Sequence, residues 1–309
     1  MKDEITVQIA EGLGNQLFMY AHAYALAQKL DRKLMIDNTS GYFKKKNSLR
    51  NHQVYMLNFF EIVNEFTPHK FRFDTLNKNF LKKILILIDK LKINKKFLYE
   101  TSIKIGSKKK VNNYNFDNLK FDSNLYIFGN YENEAYFKDY KNDFINLFTP
   151  KQEFLRAQNK LVSKLRNSNS VSIHIRRNRF SDQKKLDKVN DKDKSEKFTN
   201  HIIEYTNRSI KYIIKNVQDP QFFIWSNDFT NFDEITNKLD LKNYVLIDCN
   251  DPINDFYLFK FAKHFIVGPS SFHWWGGWLN DNKNKICLRP SNLNPSNNEK
   301  FWPDEWISI

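Results

Sequence analysis

Four short segments hold the side chains best suited to chemistry. His174-Ile175-Arg176-Arg177 ends a strand read from Val171 to Ile175. Successive residues of a strand point to opposite faces, so His174 and Arg176 share one face and Arg177 takes the other. An arginine stays charged at any working pH, and its planar fork suits a diphosphate, although arginine pairs also serve as ordinary surface ion-pair partners. Gly268-Pro269-Ser270-Ser271-Phe272-His273-Trp274-Trp275-Gly276-Gly277-Trp278-Leu279 reads as a glycine turn leaving a strand, two hydroxyls at an N-cap, and a helix. The N–H groups exposed at such a helix start can hold a phosphate. Trp274, Trp275 and Trp278 recur at helical spacing and read as core packing. Asp255 heads a further helix, where the dipole favours a carboxylate.

The fourth segment, Gly12-Leu13-Gly14-Asn15-Gln16-Leu17, lies between a strand and a helix. Its backbone N–H groups suit an anion, and a plain strand-to-helix turn accounts for it equally well. It is not a dinucleotide fingerprint, because Leu17 stands where the third glycine belongs, and no Gly-Lys-Ser/Thr makes it a P-loop. Asp191-Lys192-Asp193 has the DxD form of metal-dependent sugar-nucleotide transferases. It lies in a charged stretch with no strand before it and reads as a coincidence. Asp37 ends a strand and is a candidate base, with a turn role the commoner use of such a residue.

The elements that must position these groups alternate. Ile5–Ile9 reads as a buried strand, 17–30 as a helix and Leu34–Asp37 as a strand, the opening of a doubly wound domain. Residues 40–125 are less regular. Leu125–Gly129 reads as a strand, 134–148 as a helix, and Thr149-Pro150 as a boundary. The alternation then restarts, with helices over 151–166, 197–216, 229–239, 253–263 and from Ser271. Strands fall at Val171–Ile175, Phe222–Trp225, Val245–Asp248, His264–Val267 and Lys285–Leu288. The expectation is an α/β protein with domains 1–150 and 151–309 facing a central cleft, ligands meeting the C-terminal ends of parallel strands. The stretch 181–196 is too polar to pack and reads as a mobile surface loop.

Composition narrows the classes. The chain has 309 residues and a formal charge of +14, with 41% hydrophobic and 16% aromatic residues, which excludes global disorder. The longest aliphatic run, Ile84–Ile88, falls far short of the ~20 residues of a membrane span. The N-terminus reads as no secretory signal. Cys249 and Cys287 form no CxxC pair and read as reduced thiols of a cytoplasmic protein, and no HExxH or Cys/His cluster suggests a metal. The positive charge fits nucleic acid, an anionic membrane or an anionic substrate, and equally a Lys- and Asn-rich coding bias. No nucleic-acid-binding signature is present. In the segment 80–93, apolar residues at 80, 81, 84, 87, 88 and 91 keep helical spacing, flanked by Lys82, Lys83, Lys90 and Lys92. It suits an anionic membrane surface, or more commonly a packing helix with a solvated lysine face.

Together, Glu11 through Ala21, His174-Ile175-Arg176-Arg177, Trp225-Ser226-Asn227-Asp228, and Asp255 through Leu279 resemble the α-1,2-fucosyltransferases of glycosyltransferase family 11. Tyr131 through Phe137 and the C-terminal Trp306-Ile307 fit the same pattern. The resemblance implies a GT-B-type fold with two Rossmann-like domains, the N-terminal one on the acceptor side and the C-terminal one binding the donor. It implies transfer of L-fucose from GDP-β-L-fucose to the 2-hydroxyl of a galactoside-containing glycan, with inversion and without cofactor or metal. The setting it implies is surface-polysaccharide or lipopolysaccharide assembly, in the cytoplasm or at the inner face of the plasma membrane. By resemblance His174 and Arg176 contact guanine and the β-phosphate, with Arg176 the catalytic group. Asp255 holds guanine, Ser270 and Ser271 meet the phosphates, and Gly14, Asn15, Arg177 and Phe272 complete the donor set. Where the family usually continues with Gly-Asp-Tyr, this chain has Asn178-Arg179-Phe180, which puts the role of that acid in doubt. A different GDP-sugar or acceptor hydroxyl is the alternative, with a basic nucleic-acid or membrane-surface binding protein behind it.

Overall fold

In the computed structural model the described residues are 3–43, 53–63, 65–105, 108–113, 119–156, 159–177 and 191–309. The chain divides into two units. Unit 1 comprises Met1–Phe148 with Ser296–Phe301, and unit 2 comprises Thr149–Pro295 with Trp302–Ile309.

Unit 1 begins with β1 (Glu4–Gln8), α1 (Leu13–Lys29) and β2 (Lys33–Asp37). It continues with α2 (Leu76–Asp89), β3 (Asn94–Tyr99), β4 (Thr101–Ile105), β5 (Lys108–Asn112), β6 (Lys120–Phe128) and α3 (Lys141–Leu147). Its parallel sheet has the order β2-β1-β6-β3, and β4 and β5 form a separate antiparallel pair. α1 is buried almost all round, which suits its run of alanines at 21, 23, 25 and 27. Phe18 meets Phe137 and Phe301, and His22 stacks on Tyr131 with ring centroids 3.9 Å apart. The helix expected over 134–148 is two 3₁₀ turns followed by the shorter α3.

α2 departs from the expected packing of the basic segment. Lys83, Lys90 and Lys92 are exposed, as a solvated lysine side requires, but Lys82 is only 7% exposed while Phe80 is 66% and Leu87 62% exposed. The inward groups are satisfied. Lys82 Nζ donates to Gln8 Oε1 at 2.6 Å and sits 3.7 Å from the Phe128 ring centroid. Asp89 accepts from the Lys96 and Phe97 N–H groups at 2.8 and 3.1 Å. Asp37, also fully buried, accepts from Thr39 and Ser40, from both backbone and hydroxyl in each, and from the Tyr126 hydroxyl at 2.7 Å. It is a strand-end anchor with its lone pairs occupied.

Unit 2 runs α4 (Asn159–Asn167), β7 (Asn169–Ile175), α5 (Lys192–Asn216), β8 (Pro220–Ser226), α6 (Asp233–Thr236) and β9 (Tyr244–Ile247). Then follow α7 (Pro252–Phe259), β10 (His264–Ile266), α8 (Ser271–Leu279), β11 (Cys287–Arg289) and β12 (Ile307–Ser308). All six strands are parallel in the order β12-β11-β10-β7-β8-β9, so β7 is central. Val171, Ile173 and Ile175 pack in one core with Ile202, Ile210 and Ile213 of α5. The intervening Ser170 and Ser172 are fully buried and bonded, Ser172 Oγ lying 2.9 Å from His273 Nε2. Trp274, Trp275 and Trp278 are buried in α8.

Two expectations change here. The charged stretch is not loop through 196, because α5 starts at Lys192. Asp191 caps it by accepting from the Lys194 N–H at 2.9 Å, and Ser195 is buried. The DxD-like triplet is thus an N-cap and first turn. Residues 181–190 lie outside the described residues. The helix expected over 229–239 contracts to α6, with Asn231 in a left-handed conformation before it.

Burial pulls the Lys82 ammonium down to about 7, with Asp37 acting in the opposite sense. The unfolded chain binds this proton up to about 10.4, so between those values stability rises with pH. Lys82→Met is expected to raise the melting temperature at pH 7. The gain should fade toward pH 10, and thermal melts across that range check it.

Candidate active site

In unit 2, His174 closes β7 and Arg176 follows it, Asp255 lies in α7 after β9, and Ser270, Ser271 and Phe272 form the N-cap and start of α8 after β10. β7 and β10 are direct neighbours, with Ile266 opposite Ile173. The chain leaving β10 passes so close to β7 that a Cβ on Gly268 would lie 2.3 Å from the His174 carbonyl oxygen and 3.5 Å from its Nδ1. No other residue fits there. This contact fixes where the 268–270 turn begins, and therefore where α8 starts.

Ser270 is the N-cap of α8, and its side chain makes no capping hydrogen bond. The hydroxyl and the first-turn N–H groups thus lie together at the positive end of a nine-residue helix. α7 packs on α8 through Phe256 and Phe272, 5.8 Å apart, and Phe259 and Phe272, 5.4 Å apart. Asp255 lies in the first turn of α7, beside Phe256. Asp251 caps that helix by accepting from the Ile253 N–H, and Asn254 ties it to the Arg156 N–H.

The electrostatics differ from group to group. Burial holds His174 neutral, with a pKa of about 3, and the Arg176 charge pushes the same way. Its Nδ1 is buried with no hydrogen-bond partner among the described residues. His273, with its ring 5.0 Å from that of His174, is likewise held neutral by burial. Burial raises Asp255 to about 6, opposed by hydrogen bonds from the Cys249 thiol and N–H and reinforced by Asp248 and Asp251. Its Oδ1 is buried without a hydrogen-bond partner among the described residues. A neutral imidazole nitrogen at the end of β7 and a carboxylate oxygen in the first turn of α7 are thus both buried without partners among the described residues.

Arg176 is half-buried just past the end of β7. Arg177 is committed elsewhere. Its guanidinium donates to the Asp228 carbonyl at 3.2 Å and to the Thr230 carbonyl, and lies 5.8 Å from the Phe232 ring centroid. Asn227 holds the Arg177 backbone by accepting from its N–H and donating to its carbonyl, and the Ser226 hydroxyl donates to the Ile175 carbonyl. Trp225-Ser226-Asn227-Asp228 therefore fixes the path of the chain at the arginines. Sequence pattern alone had given it no role, nor one to Cys249 beside Asp255. Asn178-Arg179-Phe180 lies outside the described residues.

Gly14 and Asn15 belong to unit 1, at the start of α1. Gly12 is the N-cap, Glu11 adopts φ 62°, and Asn15 Nδ2 donates to the Glu11 carboxylate. Gln16 is wholly structural, donating to the carbonyls of Glu11 and Val54 and accepting from the Met56 N–H. Cys249 and Cys287 are both buried thiols.

Asp255 binds its proton more tightly folded than unfolded, so its contribution to stability is full below about 3.9 and is lost as pH rises through about 6. Asp255→Asn is expected to melt higher than the parent at neutral pH and to match it near pH 4. Paired melts at both pH values check this.

The fucosyltransferase NodZ from Bradyrhizobium superposes with a TM-score of 0.50 at 12% identity, covering 89% of this chain and 92% of that one. A mutant of FUT1 from Arabidopsis thaliana in complex with GDP superposes with a TM-score of 0.50 at 12% identity, covering 95% of this chain and 72% of that one. The fold is therefore of GT-B type, built from two Rossmann-like α/β units. An alpha-1,2-colitosyltransferase of Escherichia coli is 28% identical over 311 residues, covering 99% of this chain and 98% of that protein. The O-antigen biosynthesis glycosyltransferase WbnK of Escherichia coli is 27% identical over 319 residues, covering 97% and 99%. The sequence pattern of glycosyl transferase family 11 matches residues 4–309, from the first strand to the last residue, and the chain belongs to that family.

Proposed function

We propose that the enzyme is an inverting transferase that moves L-fucose from GDP-β-L-fucose to the 2-hydroxyl of a galactoside, in surface-polysaccharide or lipopolysaccharide assembly. The observation that carries the donor assignment is Asp255, a carboxylate with one oxygen buried and unpartnered among the described residues, in the first turn of α7, which packs on α8 through Phe272. Guanine presents N1–H and its amino group on one edge, a donor pair that suits a carboxylate. The neutral His174 supplies a second polar contact, and Ser270, Ser271 and the first-turn N–H groups of α8 receive the diphosphate. Phe272 helps hold α7 against α8. Arg177 acts as a positioning residue for Arg176. Gly14 and Asn15 belong to the other unit, and their assignment to the donor rests on family resemblance alone.

In the reaction the acceptor oxygen attacks C1 of the sugar from the face opposite the diphosphate. The C1–O bond breaks, its electron pair leaves with GDP, and the acceptor proton is released to a base or water. Inversion follows from a single displacement. Charge grows on the β-phosphate as that bond breaks, where Arg176 and the helix start stabilise it. Asp37 is not that base, given its five accepted hydrogen bonds.

A second donor is favoured by one finding, the similarity to an alpha-1,2-colitosyltransferase. Colitose is L-fucose without its 3-hydroxyl. A site that hydrogen-bonds that hydroxyl rejects the deoxy sugar strongly, and one that does not accepts both. Incubation with each GDP-sugar and a panel of galactosides, with products read by mass spectrometry and linkage by NMR, is expected to show α-1,2 fucosyl transfer. Transfer from GDP-colitose alone would move the assignment to that sugar, and an absence of transfer to any galactoside would overturn the acceptor class.

Arg176→Ala is expected to lower turnover about 10²–10³-fold with an unchanged melting profile, and Arg176→Lys to rescue poorly. Near-normal turnover in the alanine variant would remove the arginine from the donor site. Transfer is also expected to persist in excess chelator, because cationic and helix-start groups already face the leaving diphosphate. Loss of activity restored by manganese or magnesium would contradict that.

A further inference from the structure

α2 packs the wrong way round for a helix of a water-soluble surface. Lys82 and Asp89 point inward and are bonded there, while Leu76, Phe80, Leu81, Ile84, Leu87 and Ile88 are exposed. Leu91 and Ile93 extend the exposed row past the helix end. A contiguous apolar surface of this kind marks a contact with another apolar medium.

We propose that this face lies on an anionic lipid surface, inserting its Leu, Ile and Phe side chains at the level of the headgroups. Charge selects that occupant. Between Leu76 and Ile93 the only acid is Asp89, which is buried and bonded to backbone N–H groups. Lys83, Lys90 and Lys92 are exposed around the apolar row. An apolar stripe with lysines beside it matches a helix lying in the plane of a membrane interface. A two-fold contact between copies of this chain would set the patch against itself, lysine against lysine, with no acid to compensate. Among the described residues no helix is long and apolar enough to cross a membrane, so the contact would be peripheral. It would hold the enzyme where lipid-borne acceptors are, whichever sugar is transferred.

The test is co-sedimentation of the full chain with phosphatidylcholine vesicles and with vesicles that also contain phosphatidylglycerol, at low and high salt. The parent is expected to sediment with the anionic vesicles and to be weakened by salt. Leu87→Glu with Ile88→Glu is expected to lower partitioning at least about tenfold, and Lys83→Glu with Lys90→Glu by about fivefold or more per lysine. Both pairs replace exposed residues, so melting and transfer to a soluble acceptor should match the parent. Because transfer is read separately, failure of the donor assignment leaves the vesicle result interpretable. The proposal fails if the parent does not bind anionic vesicles, or if Leu87→Glu with Ile88→Glu binds them equally well. It also fails if that variant dissociates a dimer formed without lipid, which would make the face a subunit contact.

Discussion

The close passage of Gly268 over the His174 carbonyl sets most of the geometry at this end of the unit 2 sheet. Parallel pairing of β7 with β10 brings the two strand ends side by side, and the absent side chain lets the chain turn directly above that carbonyl. Position 270 then falls at a helix start, and α8 descends along the face of β7 that carries serines rather than aliphatics. His273 reaches Ser172 from that helix, while Phe272 meets α7. A bulkier residue at 268 would shift the start of α8 and, through Phe272, the helix that carries Asp255. The polar groups of this half are positioned by backbone closeness, not by long side chains reaching inward.

The same packing decides charge. Two histidines pressed together in a dry strand–helix interface stay neutral, so the positive charge is left to arginine, which burial cannot neutralise. The acid is treated in the opposite way. Asp255 is held by one cysteine's N–H and thiol, too few partners for a fully satisfied carboxylate, and its proton affinity rises. Asp37 of unit 1 is more deeply buried but fully hydrogen-bonded. The contrast separates a carboxylate built to hold the chain from one with capacity left for a ligand.

Much of this was legible in sequence, for identifiable reasons. β8 is an apolar run bounded by turn residues, as a strand of a buried parallel sheet can be, and β1 and β7 alternate apolar residues with small or polar ones at strand spacing. His174, Arg176, Asp255 and Ser270 could be picked out by residue type and by position at element ends. What escaped notice depends on register. Asn227 and Ser226 act on backbone groups across two strands, and Cys249 on a residue six positions along, which no local pattern shows. β3 was missed because Asn94-Lys95-Lys96 hides Phe97-Leu98-Tyr99 behind polar residues. The start of α5 was missed because only Ser195 in its first turn is buried. Residues 296–301 join unit 1 through long-range contacts, including Asn298 to Asn113.

α2 shows where pattern reading reaches a physical limit. Periodicity locates an apolar stripe, but the direction it faces depends on whether the opposite stripe can be satisfied inside. Here it can. Phe128, Tyr126 and Phe73 surround the Lys82 ammonium with ring faces, Gln8 takes its hydrogen bond, and Asp89 finds two strand N–H groups. Rings that attract a cation also shield it from water, which is why its proton affinity falls although it remains bonded. Turning the helix over would bury the aliphatic row and leave Asp89's two N–H partners and Gln8 without their bonds. In water alone, burial of that row would compete with these polar contacts. Against a lipid surface the competition disappears, because the row leaves water without the helix turning, so both faces of α2 are satisfied in one orientation.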